Sequence, residues 1–126
     1  MPGSSDLNTP LPQPQAFPAE SVWEAYPRHA IQPPPYWDFT HARLGPELRA
    51  LAGRHAGEVR LGSLGESLEG RELWTARAGR GGRRVLAFAR QHGNEPICEI
   101  ALLTALRFLL AEPEHPVCRE ILGRLD

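Results

Sequence analysis

The chain has no lysine: all 14 of its basic residues are arginine. With 15 acids against them the formal charge is −1, so there is no electrostatic footing for nucleic acid or an anionic membrane as partner. No apolar run reaches the roughly 18–20 residues that span a bilayer. The first residues, "MPGSSDLNTPLPQPQ", have neither a basic n-region nor an apolar h-region, so no secretory signal is expected and the default location is cytoplasmic. Only two cysteines occur, Cys98 and Cys118. Both fall in segments expected to be helical, too few for a disulfide framework, and both are expected reduced and partly buried. At 126 residues the chain holds one domain at most.

Proline is plentiful and unevenly placed: nine of the 13 lie in the first 35 residues. Met1 to Gln15 is rich in Pro, Ser and Gln and carries too little apolar surface to order itself. Phe17, Trp23, Tyr26, Tyr36 and Trp37 then appear among prolines. Residues 1–37 are therefore expected to form a Pro-rich, partly disordered arm, irregular where it lies on a folded body. Gln32 to Tyr36, "QPPPY", favours an extended polyproline conformation and reads as a stiff connector or a recognition segment.

Residues 38–126 carry the periodic patterns. Leu44, Leu48 and Leu51 predict a short amphipathic helix starting between Thr40 and Pro46 and ending near Gly53. Gly57 to Gly65 alternates, with Val59, Leu61 and Ser63 on one face and Arg60 and Gly62 on the other. Arg71 to Ala78 alternates again, Trp74, Ala76 and Ala78 against Leu73, Thr75 and Arg77. Gly65 and Gly70 permit a hairpin between them, tied by Ser67, Glu69 and Arg71. Gly79 to Arg84, "GRGGRR", matches no phosphate-loop spacing and reads as a solvated turn. Val85 to Ala89, "VLAFA", is apolar on both faces and predicts a third, central strand. Glu95 to Leu110 predicts a helix apolar nearly all round, hence buried nearly all round. Pro116 to Leu125 predicts a last helix. The fold class is α/β, the start of a mixed sheet of three strands with about three helices on its faces. That many elements cannot surround both a two-faced strand and an all-apolar helix, so a poorly soluble or partner-dependent chain is expected.

Between the central strand and the apolar helix stands "HGNE". Gly93 allows a sharp turn, Asn94 can cap the helix and Pro96 suits its first turn. His92 and Glu95 are thereby brought towards one point at the carboxyl end of a strand, where open α/β sheets hold ligands. An imidazole and a carboxylate are suitable zinc ligands. A bare His-x-x-Glu has an ordinary explanation too: a carboxylate complementing a helix dipole beside a histidine bonded to a carbonyl.

"GESLEGR" (Gly65 to Arg71), about 20 residues before "HGNEP", resembles the zinc carboxypeptidases of the carboxypeptidase A family from Tyr36 to the end. The resemblance implies that His92 and Glu95 bind one zinc ion, completed in the family by a second His and a water. It implies hydrolysis of C-terminal residues from peptides, with a separate Glu as base and arginines holding the substrate carboxylate. No counterpart of these further groups is found: the remaining His115 lies in an apparent loop, and Arg107, Arg119 and Arg124 lie on helices. The resemblance thus implies the first third or so of a catalytic domain, with no catalytic or substrate-binding residue of its own. Such a chain is expected to be inactive alone, with a peptide as substrate once a missing C-terminal part is supplied, by another chain if not by its own. Two alternatives stand beside it. Relatives of aspartoacylase and succinylglutamate desuccinylase resemble it around "HGNE" and hydrolyse small N-acyl amino acids. A non-catalytic interaction module would use the aromatic arm instead.

Overall fold

The computed structural model describes residues 19–31 and 38–125. The polyproline segment and the expected disorder of the first residues lie outside them. The described elements run α1 (Ala19–His29), α2 (His41–Arg54), β1 (Val59–Glu66), β2 (Glu72–Ala78), α3 (Ile97–Ala111) and α4 (Pro116–Arg124).

The arm is not irregular throughout: α1 is an 11-residue helix inside it. Glu20 in its first turn and Arg28 and His29 in its last complement the helix dipole. Pro27 sits close to the C-terminal end, so little helix follows the bond it forfeits. Ala25 is fully buried, and Arg28 and His29 both reach Glu112 just past α3.

In α2, Leu48 and Leu51 are buried as their spacing requires. Gly45 lies against the Trp74 indole, where an added Cβ would come within 3.2 Å of the ring. Pro46 falls beyond the first turn, because the helix already begins at His41.

β1 and β2 form an antiparallel pair with Val59 opposite Ala78, Leu61 opposite Ala76 and Ser63 opposite Trp74. The face carrying Val59, Leu61, Trp74 and Ala78 turns to the core. The hairpin closes as its sequence implies. Ser67 N–H donates to the Arg71 carbonyl at 2.8 Å, and the Ser67 hydroxyl accepts from Glu69 N–H and Arg71 N–H. Glu69 and Arg71 form an ion pair, and Gly70 takes the left-handed conformation at φ 70°.

The third strand is absent among the described residues: the sheet has two strands, not three. Val85, Leu86 and Phe88 are 62%, 85% and 68% exposed. The cause lies in the preceding link. Residues 80–83 are largely exposed, as expected, but their backbone follows the C-terminal end of α4. Arg80 N–H donates to the Leu122 carbonyl, Gly81 N–H to Leu125 and Arg83 N–H to Arg124. The chain leaves the hairpin edge along α4, and Val85 to Ala89 has no strand beside it to complete a ladder.

α3 is likewise covered on one side only. Ile100, Leu103 and Leu110 join Ile31, Phe39 and Leu51 in the core, while Ile97 is 61% exposed. Expectation of burial all round assumed neighbours on every face. In α4 Val117 and Cys118 are buried. Cys118 is a free buried thiol and Cys98 a free exposed one. No described helix is long and apolar enough to cross a membrane.

Candidate metal centre

The pair singled out by the sequence does meet. His92 Nδ1 and Glu95 Oε2 are 3.0 Å apart, in a turn closed by Glu95 N–H donating to the His92 carbonyl at 3.1 Å. The turn replaces the expected first helical turn: α3 begins two residues after Glu95, at Ile97, with Pro96 as N-cap and no side-chain cap, so Asn94 does not play that part. Both side chains are more than half exposed, 66% for His92 and 58% for Glu95.

The donor set fits zinc. Two ligands at about 2.0–2.2 Å from a tetrahedral ion stand about 3.3–3.5 Å from each other. His92 Nδ1 and Glu95 Oε2 are hydrogen-bonded to each other at 3.0 Å, a few tenths of an ångström short of that separation, so an ion bound by both would replace that hydrogen bond. Among the described residues neither side chain has a main-chain partner. Among the described residues no third His, Cys, Asp or Glu joins them.

The other histidines are spread over the fold. His29 Nε2 meets Glu112, His41 Nε2 meets the Glu72 carbonyl at 2.7 Å, and His55 is the C-cap of α2. His115 is not a loose loop residue: it is the N-cap of α4, its Nδ1 accepting from Val117 N–H at 3.3 Å and its ring edge-on to Phe108. Arg107 lies on α3, and Arg119 and Arg124 on α4, as their spacing implied. Arg124 pairs with Glu120 one turn away at 2.5 Å. A polar cleft of about 350 Å³ lies apart from the His92–Glu95 turn, lined by Glu58, Arg60, Arg77 and Arg80.

One residue of the site has no signature in the sequence. Arg90, two positions before His92, is the one non-glycine described residue with positive φ, at 61°. The backbone freedom expected at Gly93 is instead exercised at Arg90. Its guanidinium donates from Nε to Glu99 at 2.8 Å and from a terminal nitrogen to the Gly93 carbonyl at 2.5 Å, and its other terminal nitrogen donates to the Phe39 carbonyl. Glu99, buried on α3, has its charge answered there.

No curated protein and no solved structure matches the chain. The sequence model of the zinc carboxypeptidase family does, over residues 46–126, a span that takes in the hairpin, the His92–Glu95 turn, α3 and α4. The turn that brings an imidazole and a carboxylate within 3.0 Å of each other thus stands within a match covering well over half of the sequence, and the chain belongs to the zinc carboxypeptidase family.

Proposed function

We propose that this chain contributes the first two protein ligands, His92 and Glu95, of a catalytic zinc site that hydrolyses C-terminal residues from peptides. The observation that carries it is the 3.0 Å approach of His92 Nδ1 to Glu95 Oε2 in a turn open to solvent, inside the span matched by the family. Carboxypeptidase A has a catalytic zinc held by two His and one Glu, and one His and one Glu are what the loop offers. Zinc in such a site acts as a Lewis acid and brings the pKa of its bound water down towards neutrality.

The part assigned to the described residues is to hold and orient the two ligands. Among the described residues there is no third ligand and no carboxylate placed as base beside the pair. On this reading the described part is expected to have no peptidase activity alone, and a third ligand, the base and the carboxylate-binding groups come from elsewhere in a complete cleft. The hairpin "GESLEGR" and the family match favour a peptidase over a deacylase of small N-acyl amino acids.

Metal analysis tests the proposal. The purified chain, dialysed against micromolar zinc, is expected to hold one equivalent, and His92→Ala and Glu95→Ala each to lose it. A wild-type chain that retains no zinc overturns it.

A further inference from the structure

We propose that Arg90 is a positioning residue for the metal: its guanidinium locks the turn carrying His92 and Glu95 to the body of the fold. This rests on the assignment of His92 and Glu95 as zinc ligands. Those two side chains are mostly exposed and touch each other, so their own packing cannot fix them. What fixes them is the backbone between, and Arg90 holds that backbone. The Gly93 carbonyl, which one terminal nitrogen of Arg90 grips at 2.5 Å, belongs to the peptide between the two ligands. The other two nitrogens are anchored on different elements: Nε on buried Glu99 of α3, and the remaining terminal nitrogen on the carbonyl of buried Phe39 ahead of α2.

The guanidinium spreads its donors over three nitrogens in a plane and so reaches three acceptors that lie around the fork. A lysine ammonium has three donors as well, but on a single nitrogen, so it can keep the charge pair with Glu99 and cannot reach all three acceptors. The left-handed backbone at Arg90 belongs to the same device. Positive φ is uncommon for a residue with a side chain, and it persists here with the side chain anchored at all three nitrogens. Glycine would adopt that φ freely but would release the turn.

The test compares zinc affinity, by competition with a chromogenic chelator, in wild type, Arg90→Lys, Arg90→Gly and a core control, Leu103→Ala. Loss of a residue that orients a metal ligand typically costs about 10–100-fold in affinity. Both Arg90 variants are expected to lose that much and Leu103→Ala to bind as wild type. Arg90→Gly binding zinc as wild type does, or Leu103→Ala losing as much as the Arg90 variants, overturns the proposal. Should the Arg90 variants fail to fold, the zinc-free wild type still decides. Its Arg90 Nε–H is expected to exchange with solvent far more slowly than that of exposed Arg119, and equal rates overturn the clamp. Absence of zinc binding by the wild type sinks the ligand assignment instead, and the Nε–H exchange separates that failure from failure of the clamp.

Discussion

His29 Nε2 and Glu112 Oε1 stand 2.7 Å apart, and Arg28 donates to the same oxygen from Nε at 3.0 Å and a terminal nitrogen at 2.7 Å. Through this carboxylate α1 is fastened to the C-terminal end of α3. The bond from His29, and after it those from Arg28, hold the Glu112 carboxyl below its ordinary value of 4.5. A group whose pKa is lower folded than unfolded contributes stability that is complete above the unfolded value and is lost as pH falls through the folded one. Acidification below 4.5 is therefore expected to loosen α1. Hydrogen exchange at the Ala30 amide, which donates to Tyr26, reads this directly. Protection is expected to fall across that acid window in wild type. In Glu112→Gln it is expected to be lower at neutral pH and flat across the window. Equal profiles for the two chains would show that the carboxylate does not fasten the helix.

The glycine-rich link is held by close approach. At Gly81 an added Cβ would overlap the Arg124 carbonyl, whereas at Gly82 it would meet nothing within 4 Å. Overpacking at a tight site costs typically about 1–3 kcal/mol. Gly81→Ala also endangers the bond from Gly81 N–H to Leu125, so its loss in denaturant unfolding is expected at the upper part of that range. Gly82→Ala is expected to stay within about 0.5 kcal/mol of wild type. Two equally harmless substitutions would mean that the link does not run along α4.

The two thiols differ in the same measurable way. Burial pushes the Cys118 thiol up to about 11, with the Glu112 charge adding to the effect, and its Sγ lies 3.7 Å from the Phe108 carbonyl. Cys98 is exposed. Because the thiolate is the reactive form, at pH 8 about one Cys118 in a thousand is competent at any moment. A native chain is expected to release one equivalent of colour rapidly with an aromatic disulfide reagent and the second only on unfolding. Two fast equivalents would place Cys118 outside the core.

Local devices were legible in the sequence, and partners distant along the chain were not. The hairpin could be read because its alternation, Gly70 and the Ser67 hydroxyl all act within a dozen residues. α4 could be placed from Pro116, and α3 to within two residues. α1 was missed because prolines around it argue for irregular chain, while its anchor, Glu112, is 83 residues away from His29. Val85 to Ala89 has the composition of a central strand, but a strand exists only beside another, and composition does not supply one. At the site, His92 and Glu95 announced themselves by spacing. Arg90 did not, since nothing local links it to Phe39 or Glu99, and the conformational freedom visible in "HGN" pointed to Gly93 instead.

The uncovered apolar segment yields the sharpest contrast in stability. Phe88 is 68% exposed and Leu110 is 1% exposed. Truncating a buried leucine to alanine removes its transfer energy and leaves a cavity, about 2–5 kcal/mol in all. Truncating a side chain that stays mostly in water removes neither. Leu110→Ala is thus expected to shift the denaturant midpoint strongly, and Phe88→Ala to leave it within about 0.5 kcal/mol of wild type. The same exposure predicts that a dye seeking apolar surface binds the folded wild type and binds Phe88→Ser less, because Val85, Leu86 and Phe88 present that surface. If Phe88→Ala costs as much as Leu110→Ala, the phenyl ring is packed in solution and the segment is covered by something. Sedimentation of the wild type then identifies a second copy as the cover, by a dimer that Phe88→Ala dissolves.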